Sequence, residues 1–384
     1  MNPTTHLTHA DRYSRQTLSG WRQDVLAGAR MLVVGAGALG NEVLKNLALS
    51  GIGLVDVMDF DVVESSNLSR CILFRDEDLH CMKARVVPKR LREISPEIET
   101  RALPLDVCVD VGAGLLRGYD MVLGCMDNIE ARLALGRLCR DAGVVYLDGG
   151  MDAAGGQVSL FHPYDGACFE CGMTARMWER VAQRQSCLRM GTGEEEMDSM
   201  PMAATAMMAS SIGALQAQEA VRWLLRETGK THAPLQPGQK VCLQTAPYGM
   251  FVVSASVSSQ CETHQRIAVT HCFAGSPVEV TVAQLLDAFA ADALSLPWDV
   301  VTCMECLDCC VEECLLPLHQ ITRKQMHCPR CGRVRSPEMQ SSIAREDALA
   351  GHTLMELGVP QLSVLDLSRT TMTGESERIR VELV

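Results

Sequence analysis

The chain has no surplus of basic charge. Its 35 lysines and arginines stand against 47 aspartates and glutamates, a formal net charge of −12 over 384 residues. Sequence-independent grip on nucleic acid needs a positive surface that displaces phosphate counterions, so this balance argues against that partner. No apolar segment follows a basic start, and no secretion leader is expected. A bilayer-spanning run is lacking as well. The most apolar helical stretch, residues 202–215, is interrupted by Thr205, Ser210 and Ser211 and then meets Gln216, Gln218 and Glu219. A span needs about 20 apolar residues in a row. These absences predict a cytoplasmic protein with neither membrane nor nucleic acid as partner. Cysteine, in contrast, is plentiful, with 18 in the chain. Without a leader, so many thiols point to metal and thiol chemistry rather than disulfides. The length suits two or three domains with a large core.

The most informative stretch is residues 31–83. Residues 31–34 (MLVV) are continuously apolar, as a parallel strand buried on both faces must be. Gly35, Gly37 and Gly40 follow with G-x-G-x-x-G spacing. Such glycines permit a tight turn and let backbone amides approach a phosphate at a helix N-terminus. The next stretch carries Leu39, Val43, Leu44, Leu47 and Ala48 on one helical face, and Gly51 suits its C-terminal cap. A second strand, residues 54–58, ends at Asp59, 19 residues past Gly40. An acid there is placed for ribose hydroxyls. On these features alone a nicotinamide-binding unit and a nucleotide-activating unit are both open, because the fingerprint is widely shared.

The residues after the second strand are harder to reconcile with a dehydrogenase. Ser66, Asn67, Arg70 and Lys83 come directly after the acidic strand end and Asp61. Fixed cations suit a triphosphate whose charge shifts in a transition state. A lysine ammonium reaches phosphate as a point charge, although Lys83 also reads as a surface residue. Residues 82–94 read as a helix interrupted at Pro88 or started late. Residues 119–125 (YDMVLGC) form another buried strand, with Asp127 and Asn128 at the carboxyl end where open α/β sheets bind ligands. Further strands are expected at 144–147 and 157–161. The small-residue loop between them reads equally as a channel wall for a peptide tail or as a simple connection.

Six motifs in this order resemble the ThiF/MoeB-like superfamily, the adenylating domain shared by ubiquitin-activating enzymes, in its compact prokaryotic form. They are RYSRQ at 12–16, GAGALG at 35–40, DFD at 59–61, SNLSR at 66–70, MKA at 82–84 and CMDN at 125–128. With two cysteine pairs further along the chain, the resemblance spans most of residues 11–264. Ala38 stands where many members have a second central glycine, and Cys71 replaces a glutamine. The resemblance implies a Rossmann-like, doubly wound, mostly parallel sheet and an ATP site. Asp127 would hold Mg²⁺ beside the α-phosphate; an N-cap aspartate is the structural alternative, since a helix begins near residue 129. Residues 11–30 should form a helical arm. Arg12 and Arg15 read as a solvated basic face, but relatives insert the second of these arginines into the neighbouring subunit's ATP site, which implies a homodimer.

Two cysteine sets have metal spacing. Cys168 and Cys171 form C-x-x-C, and Cys261 and His264 form C-x-x-H. Together they make a closed Cys₃His set for structural Zn²⁺. Relatives commonly have four cysteines there. A second set ends in Cys328 and Cys331, followed by Gly332. Its partners are either Cys303 with Cys306 or Cys306 with Cys309; the latter leaves 18 residues before Cys328 and is preferred. This places a small zinc-ribbon-containing docking domain at 265–384, after an adenylation domain at 1–264. The spare cysteines at 71, 81, 108, 125, 139 and 242 read mostly as small core residues.

The charged, glycine-containing crossover at about 173–200 holds Cys187 between Arg184 and Arg189, which would favour its thiolate. Thioester-forming family members keep their nucleophile on such a crossover. An idle exposed thiol, or a persulfide or acyl-disulfide link to a sulfur carrier, is the alternative. The expectation is ATP-dependent adenylation of the C-terminal glycine of a ubiquitin-like protein, assisted by Arg15, Arg70, Lys83 and Asp127. Transfer to Cys187 and on to a conjugating enzyme would complete the sequence. Activation of a sulfur-carrier protein for thiamine, molybdopterin or tRNA thiolation is a second reading, and a non-catalytic zinc-bearing scaffold is a third.

Overall fold

The computed structural model describes residues 12–181, 205–229, 233–265, 269, 271–322 and 324–384. Eight strands form the first sheet: β1 (Arg30–Val34), β2 (Leu54–Met58), β3 (Ala102–Leu103), β4 (Met121–Gly124), β5 (Val145–Met151), β6 (Gly155–Phe161), β7 (Gln239–Thr245) and β8 (Tyr248–Ser254). Their order is β3-β2-β1-β4-β5-β6-β7-β8. The first five run parallel and the last three are added antiparallel. The register sets Val34 opposite both Met58 and Gly124. Three strand tips therefore end level, and a crevice opens where the order reverses between β1 and β4.

Side chains alternate across this sheet, so the two faces build separate cores. Met31, Val33, Val57, Leu123 and Leu147 meet helices α3 (Ala38–Ser50), α4 (Lys83–Ile94) and α6 (Ala206–Leu225) on one face. Leu32, Val34, Val122 and Tyr146 meet α5 (Ile129–Ala142) on the other. The sheet is thus doubly wound. Gly51 closes α3 in the left-handed conformation, with φ +78°.

Three local expectations are corrected. α4 runs unbroken through Pro88. An interior proline costs about 3 kcal/mol, but Ala84, Val87, Pro88 and Leu91 are buried on one stripe, and that packing holds the helix. Residues 12–30 form two short helices, α1 (Ser14–Leu18) and α2 (Gln23–Gly28), rather than one arm, because Gly20 breaks between them with φ +83°. The loop between β5 and β6 is a tight hairpin rather than a channel wall. A Cβ on Gly149 would strike Gln216 at 2.3 Å, and one on Gly156 would strike Ile212 at 2.5 Å, so these glycines admit α6.

A second sheet has the order β11-β10-β13-β14-β9, with β12 paired to β10. Its strands are β9 (His271–Phe273), β10 (Ala293–Cys306), β11 (Cys310–Pro317), β12 (Ser336–Ala344), β13 (Val364–Thr370) and β14 (Ser376–Leu383). A short helix α7 (Glu262–Gln265) precedes it, and α8 (Val282–Ala288), capped by Thr281, packs Leu285 and Leu286 into its core. Two residues on one face of β14 meet the first sheet's surroundings. Arg380 donates to Asp141 at the end of α5 at 2.8 and 2.6 Å, and Arg117 pairs with Glu382 at 2.7 Å. No helix among the described residues is long and apolar enough to cross a membrane.

Candidate nucleotide site and metal centres

The glycine turn beyond β1 shows which glycines the fold itself requires. Gly35 has φ +95°, and a Cβ there would lie 2.8 Å from the Cys125 carbonyl. A Cβ on Gly40 would lie 1.9 Å from the Gly35 carbonyl. Gly37, the N-cap of α3, has no atom within 4 Å of its ideal Cβ. Clear space therefore lies against the backbone at this helix start, where a phosphate oxygen could approach amides. Ala38, the first residue of α3, is buried, so the missing second glycine costs the turn nothing.

Asp59 stands at the tip of β2 with both oxygens engaged. It accepts from the Ala36 amide at 2.7 Å and from the Asp61 amide at 2.8 Å. Burial pushes its carboxyl above the ordinary range, while the nearby Lys83 ammonium pulls it back. Lys83 is the first residue of α4 and is buried, with Nζ donating to Asp61 at 2.8 Å. Burial alone would lower its pKa, but Asp59 and Asp61 outweigh this and raise it. Arg70 donates from Nη1 to the Ser66 carbonyl at 2.7 Å, which steadies the 3-10 turn Ser65–Asn67. Asn67 is buried and accepts from the Glu64 amide at 2.9 Å; Ser66 is exposed. The structure thus gathers Gly37, Asp59, Asp61, Arg70 and Lys83 around the tips of β1 and β2.

Asp127 lies across the crevice beyond β4, exposed, and makes no hydrogen bond or ion pair with the described residues. The N-cap of α5 is Asn128, which accepts from the Ala131 amide at 2.7 Å. That corrects the N-cap alternative for Asp127 and leaves its carboxylate free to hold a cation. Arg12 is spoken for, donating to the Ile94 carbonyl at 2.6 Å. Arg15 is exposed on α1. Cys187, Arg184 and Arg189 lie outside the described residues. Of the spare cysteines, Cys71, Cys125 and Cys139 are buried, whereas Cys81 and Cys108 are exposed rather than core residues because they sit in loops. Burial raises the Cys71 thiol to about 11, which keeps it protonated and unreactive.

Both cysteine sets converge. The ligand atoms of Cys168, Cys171, Cys261 and His264 all lie within 4.8 Å of one another, as do those of Cys306, Cys309, Cys328 and Cys331. Cys303 is not in the second group, which decides between the two partner pairs. In the first set Nδ1 of His264 faces the three thiols at 3.3 to 3.6 Å, and Nε2 lies 3.2 Å from the Gly166 carbonyl. That is the outer contact a metal-binding imidazole usually makes. Glu170, between the two cysteines, accepts from the Glu262 amide at 2.8 Å and from Arg137 at 2.8 and 3.0 Å, tying both halves together. In the second set Gly332 turns the knuckle with φ +73°. Closed Cys₃His and Cys₄ donor sets could hold Zn²⁺ in a structural role.

Several residues that shape the site leave little trace in the sequence. Asn41 donates to the Ala36 carbonyl at 2.7 Å and accepts from the Leu73 amide at 2.9 Å, joining the glycine turn to the arginine loop. Gln216 and the Arg132–Asp148 pair brace the tips of β4 and β5. Asn41 and Gln216 share one signal, an amide on an otherwise apolar helical face.

The ThiF family profile matches residues 13–261. The chain is 34% identical over 165 residues to a SUMO-activating enzyme subunit 2 of Dictyostelium discoideum, covering 42% of this chain and 25% of that protein. It is 31% identical over 218 residues to a molybdopterin-synthase adenylyltransferase of Salmonella typhimurium, covering 56% and 81%. Several relatives are much longer, and the chain spans only 25% to 36% of their length. The ATP complex of E. coli MccB shares the fold, with a TM-score of 0.55, 21% identity, and coverage of 67% of this chain and 75% of that one. The profile match over most of the first sheet, together with the motifs gathered at its tips, establishes that the chain belongs to the ThiF family.

Proposed function

We propose that this protein activates the C-terminal glycine of a ubiquitin-like or sulfur-carrier protein by adenylation. The observation that carries the reading is the arrangement at the level tips of β1, β2 and β4. Open backbone at Gly37, the cations Arg70 and Lys83, and the carboxylate of Asp127 all belong to the loops and helix starts that follow these strands. A carrier carboxylate oxygen attacks the α-phosphorus of ATP, the bond to the bridging β-phosphate oxygen breaks, and pyrophosphate leaves. Asp59 and Asp61 are placed for the ribose side, and Arg70 and Lys83 offset the charge that shifts towards pyrophosphate. Asp127 would hold Mg²⁺, which supplies charge neutralisation at the α-phosphate. Arg15 would enter from a second copy, because it is exposed on its own subunit. Zn²⁺ at both cysteine sets would be structural.

A protein substrate is supported by β8. This edge strand exposes Tyr248, Met250 and Val252 on one face, an apolar patch of the kind that marks a protein contact. Four strand spacings separate β8 from β4, about 19 Å. An extended tail of about six residues would span that gap. Cys187 thiolate would then attack the acyl carbon, forming a thioester and releasing AMP, before transfer to a conjugating enzyme. The match to a molybdopterin-synthase adenylyltransferase keeps the sulfur-carrier alternative beside it, in which the adenylate is handed to a sulfur donor, and a SAMP-activating enzyme E1 is covered to a similar extent.

ATP–pyrophosphate exchange with glycine-ended carriers tests the adenylation. Exchange that requires the terminal carboxylate is the expected result; ATP-independent binding of carriers with no exchange would favour a scaffold. Cys187→Ser separates the two enzymes. A stable carrier oxyester supports conjugation, and undiminished thiocarboxylate formation supports sulfur transfer.

A further inference from the structure

Asp127 sits in a short loop, residues 125–128, between β4 and α5. The structure braces that loop from behind at both ends. Before it, Gln216 of α6 is fully buried and donates from Nε2 to the carbonyls of Gly124 and Leu147, each at 3.0 Å. Its Oε1 lies 3.6 Å from the Cys125 thiol, which donates to it. After it, Arg132 in the first turns of α5 donates to Asp148, through Nε at 2.9 Å and through Nη2. Asp148 is buried and also accepts from the Tyr146 hydroxyl at 2.7 Å.

Both braces end on consecutive residues of β5, the Leu147 carbonyl and the Asp148 carboxylate. They arrive from opposite faces of the sheet, since α6 packs on one face and α5 on the other. A single brace would leave the loop free to pivot about the other end. Two braces converging on one strand fix its height above the sheet, and with it the backbone from which the Asp127 carboxylate projects.

Gln216 has a second property. A buried amide in the middle of an apolar helix must find partners or lose stability. Here its partners are the last carbonyl of β4 and a carbonyl inside β5, so the helix is tied at one point to the tip of β4 and the strand beside it. The same helix comes directly after the segment that contains Cys187.

We propose that Gln216 is a positioning residue for the cation at Asp127, acting through the β4 tip, with Arg132–Asp148 as its counterpart on the other face. The proposal rests on the adenylation reading, because it presumes that Asp127 holds the metal of a bound nucleotide. Outer partners that orient a metal-bearing carboxylate typically contribute about 10-fold or more in metal affinity.

The test measures ATP binding by calorimetry with excess Mg²⁺ and with EDTA, for the wild type, Gln216→Leu, Gln216→Asn and Arg132→Lys. The wild type should bind ATP more tightly with Mg²⁺. In the variants that gain should shrink by about 10-fold, while binding in EDTA stays close to wild type and reports that the glycine turn is intact. Arg132→Lys reaches the loop from the other core, so it supplies the same reading where a Gln216 variant fails to fold. An undiminished Mg²⁺ gain in a folded variant of either residue overturns the proposal, as does an equal loss of binding in Mg²⁺ and EDTA. Absence of ATP binding by the wild type instead overturns the adenylation reading.

Discussion

Lys83 offers the sharpest separation of chemistry from stability. Its ammonium is buried at the start of α4 and donates to Asp61, whose side chain is 53% exposed. Truncation to alanine leaves Asp61 able to hydrate, so losing that half-exposed pair costs the fold about 1 kcal/mol, to which is added the lost counter-charge of the buried Asp59. The reaction loses much more. Removing one preorganised donor from the site of developing charge costs about 10²–10³ in turnover, or roughly 3–4 kcal/mol. ATP–pyrophosphate exchange and urea unfolding on one preparation of Lys83→Ala measure both quantities. Lys83→Arg keeps the charge but changes its shape, and should recover only part of the rate. The pH profile supplies a third check. Because the folded-state pKa of Lys83 is raised, its stabilising charge is fully present below the ordinary lysine value. That contribution is lost only as pH rises through the higher folded value. No alkaline limb from Lys83 should therefore appear near neutrality. Exchange within about threefold of wild type in Lys83→Ala would refute the assigned role. A stability loss as large as the kinetic loss would mean that the residue is mainly structural.

Buried charge yields two further expected outcomes. Asp59 accepts a backbone amide on each oxygen, and Asn would turn its NH₂ to one of them, so Asp59→Asn should melt below the wild type at pH 7 and bind ATP more weakly, with the loss partly offset because burial raises the Asp59 pKa; an unchanged melting temperature with unchanged ATP affinity would contradict this. Arg380→Ala removes the bonds to Asp141 and to Asp366 and should cost about 3–5 kcal/mol in urea unfolding, whereas Arg380→Met with Asp141→Leu should recover most of it; equal losses in both would show that packing, not charge, holds the seam.

The nucleotide half of the site is legible in the sequence because its chemistry is local. Glycines, the strand-end acids Asp59 and Asp61 and the SNLSR loop lie within 35 residues of Gly35, and a turn that must approach phosphate restricts residue types strongly. The cysteine pairs are legible for the same reason, and the register of the second set is settled only where Cys309 rather than Cys303 meets Cys328. The hidden contacts depend on which distant groups share a space. Gln216 reads as an interruption of an apolar helix until Gly124 and Leu147 are seen opposite it. The Arg380–Asp141 pair joins residues 239 positions apart and leaves no pattern in either segment. Pro88 misleads because a propensity penalty is visible in sequence and the compensating burial is not.

α5 links these hidden contacts. It is 14 residues long, about 21 Å from end to end, and side-chain bonds fix it along that length. Asn128 caps its start, Arg132 reaches Asp148, Arg137 reaches Glu170 at the Cys₃His set, and Asp141 in its last turn receives Arg380. An acid in a last turn opposes the helix dipole, so Asp141 is poorly placed for α5 alone and gains its place only by pairing with Arg380. The Cys₃His set, the second sheet and the Asp127 loop are therefore attached to one short helix. Motion of the second sheet relative to the first would have to break the largely buried Arg380–Asp141 pair. A partner seated on the second sheet would then meet the Asp127 loop at a fixed geometry, which distinguishes this arrangement from a module swinging on a linker.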